Sequence, residues 1–133
     1  MSRQDVYKEI EQTVGLVPEF FKLLPEEALG PNWELFKRYQ LSDQTLIPPK
    51  YKQLIGVAVA GALRCQYCTL FHSEAAKLMG ATSAEIEEAV HVAKETAGWS
   101  TYLNGLRLDF ERFKDELRRV VEFVKSSTLK RAV

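Results

Sequence analysis

The sequence predicts an all-α fold, a helical bundle of about six to seven helices with a long C-terminal helix, and three observations carry that reading. Over residues 100–125, Leu103, Leu106, Phe110, Phe113, Leu117, Val120 and Val124 recur in three–four alternation, the repeat of a helix–helix seam. Residues 50–63 hold an uninterrupted apolar run, Leu54 to Leu63, longer than an ordinary strand and rich in Ala and Gly, which let helices approach closely. No second strand-like run exists to pair with it.

In order along the chain, residues 4–14 carry Val6, Ile10 and Val14 on a polar segment, an amphipathic helix that Gly15 can end. Val17-Pro18-Glu19-Phe20-Phe21 begins a second segment with proline at its start. Pro25 opens a third, through Leu41, with Leu29, Trp33 and Phe36; Gly30-Pro31 predicts two pieces there, or one bent one. Ser42-Asp43-Gln44 reads as a turn, and Ile47-Pro48-Pro49 keeps the backbone extended until Pro49 enters the next helix. That helix is apolar all round after Gln53, which predicts a place in the middle of the bundle. Arg64 ends the run. The stripe Cys68, His72, Ala75, Met79 then predicts a helix from Gln66 to Met79, stopped by Gly80. Thr82-Ser83-Ala84-Glu85 has the pattern of a capping box. It starts a helix to about Ala97, with Ile86, Ala89, Val90, Ala93 and Ala97 on its apolar face and His91 on the far side. After Gly98 the last helix runs from about Ser100 to Lys125, with Arg112–Glu116 and Asp115–Arg119 as surface pairs. The tail from Ser126 to Val133 is polar and expected to fray.

At 133 residues the chain reads as one helical domain, 1–133, large enough for a core without staples. Eighteen basic residues balance eighteen acidic ones, so net charge draws it neither to nucleic acid nor to an anionic membrane. Met1-Ser2-Arg3-Gln4-Asp5 lacks the apolar core of a secretory signal, and the run Leu54–Leu63 is about half the ~20 residues of a membrane span. The expected compartment is cytoplasmic. There, two cysteines point to catalysis or metal binding rather than to a structural disulfide.

Both cysteines and one of the two histidines fall in Arg64-Cys65-Gln66-Tyr67-Cys68-Thr69-Leu70-Phe71-His72. Cys65 and Cys68 are one helical turn apart, and His72 lies one turn beyond Cys68, so a helix brings all three to one face. Two thiols at that spacing can close a small disulfide ring, and the imidazole can take or give a thiol proton. The start of a helix favours the thiolate, and that predicts lowered pKa values for both cysteines. Two blander readings compete. The cysteines can be packing residues, or Cys65, Cys68 and His72 can be three ligands of a zinc site. No second Cys/His pair supports the metal, and His91 lies on the far side of its own helix, so no metal and no cofactor is expected.

These residues carry a resemblance. Val17-Pro18-Glu19-Phe20-Phe21, Pro49, the helix from Gln53 to Ala62, the Cys-x-x-Cys-x-x-x-His motif and Gly80-Ala81-Thr82 resemble the carboxymuconolactone decarboxylase family, in its alkylhydroperoxidase D branch. The resemblance covers most of residues 15–108, with the seam helix 100–125 longer than the family core requires. It implies an all-helical protein that assembles as a trimer or hexamer and reduces peroxides, or exchanges disulfides, without flavin or haem. It implies Cys68 as the peroxide-attacking cysteine, Cys65 as the resolving one and His72 as the proton carrier. The decarboxylase branch lacks the cysteine pair, which argues against lactone decarboxylation. Two positions depart from the family pattern. Gln53 stands where a glutamate commonly relays protons with the histidine, and Tyr67 stands where a histidine can precede the second cysteine. An amide hydrogen-bonds but takes no proton, and a phenol with a pKa near ~10 is a poor base.

The function expected is a thiol-dependent oxidoreductase of the alkylhydroperoxidase D type. Its partners are a hydroperoxide or disulfide substrate and a thioredoxin-like or other dithiol electron donor. Two alternatives stand beside it: a protein-disulfide reductase with little peroxidase activity, and a non-catalytic helical assembly protein that keeps the cysteines as a redox sensor or metal site.

Overall fold

A computed structural model describes residues 1–127, and every described element is helical: α1 (Arg3–Val14), α2 (Glu19–Lys22), α3 (Glu26–Phe36), a π-helical turn (Lys37–Leu41), α4 (Pro49–Leu63), α5 (Gln66–Leu78), α6 (Ser83–Gly105) and α7 (Phe110–Ser126). The expectation for the tail lies, from Thr128 on, outside the described residues. Among the described residues no helix is long and apolar enough to cross a membrane. The chain divides into two compact units, Met1–Ala93 and Lys94 to the C-terminal end.

In the first unit, Ser2 caps α1 in a reciprocal box with Asp5, and Gly15 ends it in the left-handed region (φ 89°), where a side chain would strain the backbone. Val6 and Ile10 of α1, Phe21 of α2, and Leu29 and Trp33 of α3 form the buried core. Arg3–Glu26 (2.7 Å) and Lys37–Glu9 (2.5 Å) tie α1 to α3 and the π turn at its rim. Of the two expectations at Gly30-Pro31, two pieces or one bent helix, the division into two does not occur: α3 runs through Pro31 as one helix. Proline removes one helical hydrogen bond, but its clash with the preceding residue is smallest when that residue is glycine. The irregularity falls later, in the π turn, where the Ser42 N–H reaches back to the Lys37 carbonyl (2.9 Å).

Pro49 opens α4 as expected, and Arg64 closes it in the left-handed region (φ 57°). The Cys65 N–H bonds the Ala60 carbonyl (3.0 Å) and the Arg64 N–H the Gly61 carbonyl (3.1 Å), so the chain turns straight into α5 and the two helices pack as a hairpin. Only one side of α4 is covered within the chain: Gln53, Val57 and Ala60 are buried, while Ile55, Val59 and Leu63 are 51, 52 and 71 % exposed. The expectation of a helix enclosed on all sides is therefore not met within one chain. The capping box at the start of α6 forms, with the Thr82 N–H on the Glu85 carboxylate (3.0 Å) and the Glu85 N–H on the Thr82 hydroxyl (3.1 Å). Lys50 of α4 also reaches Glu85 (3.2 Å).

In the second unit the expected single helix over 100–125 is two. The start of α6 lies in the first unit, and it continues past Gly98, a residue that costs a helix interior about 1 kcal/mol, to Gly105. There Arg107 takes a left-handed conformation (φ 56°) and the Leu108 N–H bonds the Leu103 carbonyl (3.1 Å). Asp109 then caps α7 by accepting from the Arg112 N–H (2.7 Å). A periodic apolar stripe does not reveal such a stop, because the alternation resumes on the far side of it. Arg112 pairs with Glu116 as expected (2.9 Å), whereas Asp115 pairs with Arg118 (2.7 Å) rather than Arg119. Leu106, Phe110, Phe113, Leu117, Val120 and Val124 are exposed within the chain.

Candidate functional site

The two thiols sit where the α4–α5 hairpin turns. Arg64 forces Cys65 out of helical geometry (φ −96°, ψ 107°), so Cys65 is the residue that caps α5, and Cys68 lies in the first turn of that helix. The Cys65 sulfur accepts the Cys68 backbone N–H at 3.3 Å, a role that Ser or Asp usually fills. Both cysteines are free. The hydrogen bond from the Cys68 side chain, followed by the Cys68 and Tyr67 backbone N–H groups, holds the Cys65 thiol below its ordinary pKa. The Cys68 thiol moves the opposite way, raised by its bond to Cys65, by burial and by the neighbouring negative charge. The expectation that a helix start lowers both thiols therefore holds for Cys65 alone, because the N–H groups there converge on one sulfur. The pair is polarised, with Cys65 the thiol that ionises first.

His72, one turn beyond Cys68 on α5, is half-buried. Its Nδ1 lies 2.7 Å from Oε1 of Gln53, a fully buried side chain of α4. The Gln53 amide N–H₂ donates to the Gln40 carbonyl (3.1 Å) and to Gln40 Oε1 (3.3 Å), so the Gln53 oxygen must be the atom that faces the ring. An amide oxygen only accepts. His72 thus carries its proton on Nδ1 and leaves Nε2 free to take another. The Gln40 carbonyl belongs to the π turn, one of the terminal helix carbonyls that lack a partner within the helix, and Gln53 satisfies it. Burial lowers the His72 pKa from about 6.5 and keeps the ring neutral near pH 7.

Cys65, Cys68 and His72 line one groove of about 510 Å³ with Phe20, Phe36, Phe71, Tyr67 and Gln40. Its aromatic wall is continuous with the core: Phe36 stacks on Trp33 (5.9 Å) and meets Phe71 (5.6 Å), and Phe71 meets the His72 ring edge-on (5.0 Å). Apolar walls raise the cost of charge and strengthen the few polar contacts within.

The structure thus brings together Cys65, Cys68, His72 and Gln53. Tyr67 lines the groove but is 78 % exposed, and its backbone N–H, not its phenol, bears on the Cys65 sulfur. His91 is exposed. Among the described residues no three His, Cys, Asp or Glu side chains converge to hold a metal. Sequence reasoning missed Gln40, which has no motif to mark it. It also missed Gly56, whose signal was a glycine in a helix interior and whose backbone faces the His72 ring.

Comparison with known proteins bears on the family and the fold. A family model described as "Carboxymuconolactone decarboxylase family" matches residues 28–109. The "Uncharacterized protein 4 in cox locus" of Paracoccus denitrificans is 43 % identical over 51 residues, 38 % of this chain, so the match spans about half (46 %) of that protein. The crystal structure of the alkylhydroperoxidase AhpD core of Rhodospirillum rubrum superposes with a TM-score of 0.67, at 24 % identity over 83 % of this chain and 84 % of that one. On the family match and the shared helical fold, the chain belongs to the carboxymuconolactone decarboxylase family.

Proposed function

We propose that the chain is a thiol-dependent oxidoreductase that reduces hydroperoxides, with Cys65 and Cys68 cycling between dithiol and disulfide. The observation that carries the reading is the groove in which a polarised thiol pair meets an imidazole whose Nε2 is free. The pair starts as Cys65 thiolate and Cys68 thiol, having released one proton. As the shared proton moves to Cys65, the Cys68 sulfur attacks the terminal oxygen of ROOH and the O–O bond breaks. RO⁻ leaves and takes a proton to become ROH, while Cys68 becomes a sulfenic acid. The Cys65 sulfur then attacks the Cys68 sulfur, expelling hydroxide, which is protonated to water as the disulfide forms. His72 Nε2 takes the Cys65 proton and returns it to a leaving oxygen. Two electrons pass from the thiols to the peroxide, and a thioredoxin-like or other dithiol donor returns them.

A second reading rests on the position of Cys65. A thiolate capping a helix is also suited to attack a protein disulfide, with Cys68 as the resolving thiol. Exposed apolar residues on α4 and α7 support the further reading that the chain works as a homo-oligomer, such as a trimer or hexamer. The deciding test is a free-thiol count before and after one equivalent of cumene hydroperoxide, with the alcohol assayed. Loss of two thiols, a two-dalton decrease in the peptide that holds both cysteines and one alcohol per chain are expected. Thiols that survive the peroxide but are consumed by a disulfide probe would put the second reading first.

A further inference from the structure

Gly56 lies on α4 one turn after Gln53, and it meets the ring that Gln53 binds. A Cβ built on Gly56 would fall 2.5 Å from both Cγ and Cε1 of His72, and closer still to Nδ1. No side chain other than hydrogen fits between α4 and that imidazole. Glycine elsewhere on α4 has no such duty, because a Cβ at Gly61 meets nothing within 4 Å. Gly56 costs the helix stability relative to alanine, so the exception calls for a physical reason, and the ring supplies one.

We propose that Gly56 is a positioning residue of the thiol site: its bare backbone lets the His72 ring lie against α4, where the Gln53 oxygen accepts a hydrogen bond from Nδ1–H and Nε2 is left for the thiols. This rests on the thiol-redox reading for its consequence, but not for its geometry. The groups gathered around the ring are Gln53 and Gly56 from α4, Gln40 from the π turn, Phe36, Phe71 and Phe20 from the groove wall, and the titratable Cys65, Cys68 and Tyr67 across the groove. A methyl group at position 56 pushes the ring off Gln53 and into the groove, where it is hydrated and free to take either tautomer.

The test is Gly56→Ala in the full chain, read first by ¹H–¹⁵N spectra of the two histidines, with His91→Gln to assign them. The wild type is expected to hold Nδ1 protonated, while Gly56→Ala shows a tautomer mixture and a His72 pKa moved up towards about 6.5. Oxidation of the thiols by cumene hydroperoxide is expected to fall at least tenfold, with helical content retained. A stability cycle guards against a folding defect: Gly56→Ala is expected to destabilise the His72 chain but not the His72→Ala chain, whose missing ring leaves room for the methyl. Unchanged imidazole spectra in Gly56→Ala, or an equal stability change in both backgrounds, overturns the proposal. If wild-type thiols resist peroxide altogether, the functional reading fails, and the imidazole spectra still decide the role of Gly56.

Discussion

Nδ1 of His72 donates to Oε1 of Gln53 across 2.7 Å, from one helix of the hairpin to the other. Where a carboxylate in that place would stabilise an imidazolium, the amide fixes a tautomer and adds no charge. This leaves a neutral base whose free nitrogen is determined by hydrogen bonding alone.

Replacing Gln53 by Glu tests what that exchange of charge for neutrality costs. A carboxylate at hydrogen-bond distance favours the protonated ring by one or more pK units, so His72 should titrate higher and peroxide-dependent thiol oxidation should rise about tenfold. The same change removes the donor to the Gln40 carbonyl and buries a charge, so the variant should lose about 1–3 kcal/mol of stability. Rate profiles from pH 5 to 9 and urea melts of both proteins measure the two effects. A variant as stable as wild type, with a matching rate profile, would show that Gln53 is packing.

The thiols should ionise in a fixed order. In Cys68→Ser the Cys65 sulfur keeps the position-68 backbone N–H and gains a hydroxyl donor, so its pKa stays low. In Cys65→Ser the thiol interaction that chiefly raises Cys68, and the charge beside it, are gone, and Cys68 returns towards an ordinary ~8.5. Alkylation by iodoacetamide across pH 5–10 should therefore show a lower midpoint for Cys68→Ser. Each unit of difference is worth about tenfold in thiolate at pH 7. Coincident midpoints would remove the polarity on which the proposed proton transfer depends.

Much of this site was legible because helical spacing is local. The offsets from Cys65 to Cys68 to His72, and the twelve residues back to Gln53, are fixed once α4 and α5 are helices. The polarity of the thiols was not legible, because it depends on Arg64 entering the left-handed region and making Cys65 a cap rather than a member of the helix. Gln40 was invisible for a related reason: a π turn has no periodic signature, yet it turns a carbonyl towards Gln53. The stop at Arg107 was hidden by apolar alternation that resumes in α7, although Asp109 three residues before Arg112 has the spacing of a cap.

The His72 ring also predicts how stability follows pH. Burial lowers its folded pKa below the unfolded value of about 6.5. Between those two values the unfolded chain binds more protons than the native one, so stability rises with pH across that window. The contribution is complete above about 6.5 and is lost as pH falls through the folded pKa. Glu9 and Glu85 are lowered from 4.5 and act only in more acid solution. Urea midpoints should therefore fall from pH 7.5 to 5.0 in wild type and fall less in His72→Gln. An unchanged slope in that variant would mean that the ring is not held neutral by the fold.

The apolar stripe of α7 makes the final prediction, about assembly. Phe110 and Leu117 are 67 and 51 % exposed within the chain, so neither makes the buried contacts whose loss unfolds a protein. A stripe of this length is hard to leave in water, because a typical monomer exposes no apolar patch larger than several hundred Å². Phe110→Asp with Leu117→Asp puts two carboxylates on that stripe while leaving the Asp109 cap and the Arg112–Glu116 and Asp115–Arg118 pairs in place. The double variant should keep its helical circular dichroism and elute from a sizing column as a smaller species than wild type. The charge should act through the lost association, because burying a carboxylate in an apolar interface is far more costly than leaving it in water. Equal elution volumes at concentrations from 1 to 100 μM would rule α7 out as an assembly surface and leave the exposed Ile55, Val59 and Leu63 of α4 as the next stripe to charge.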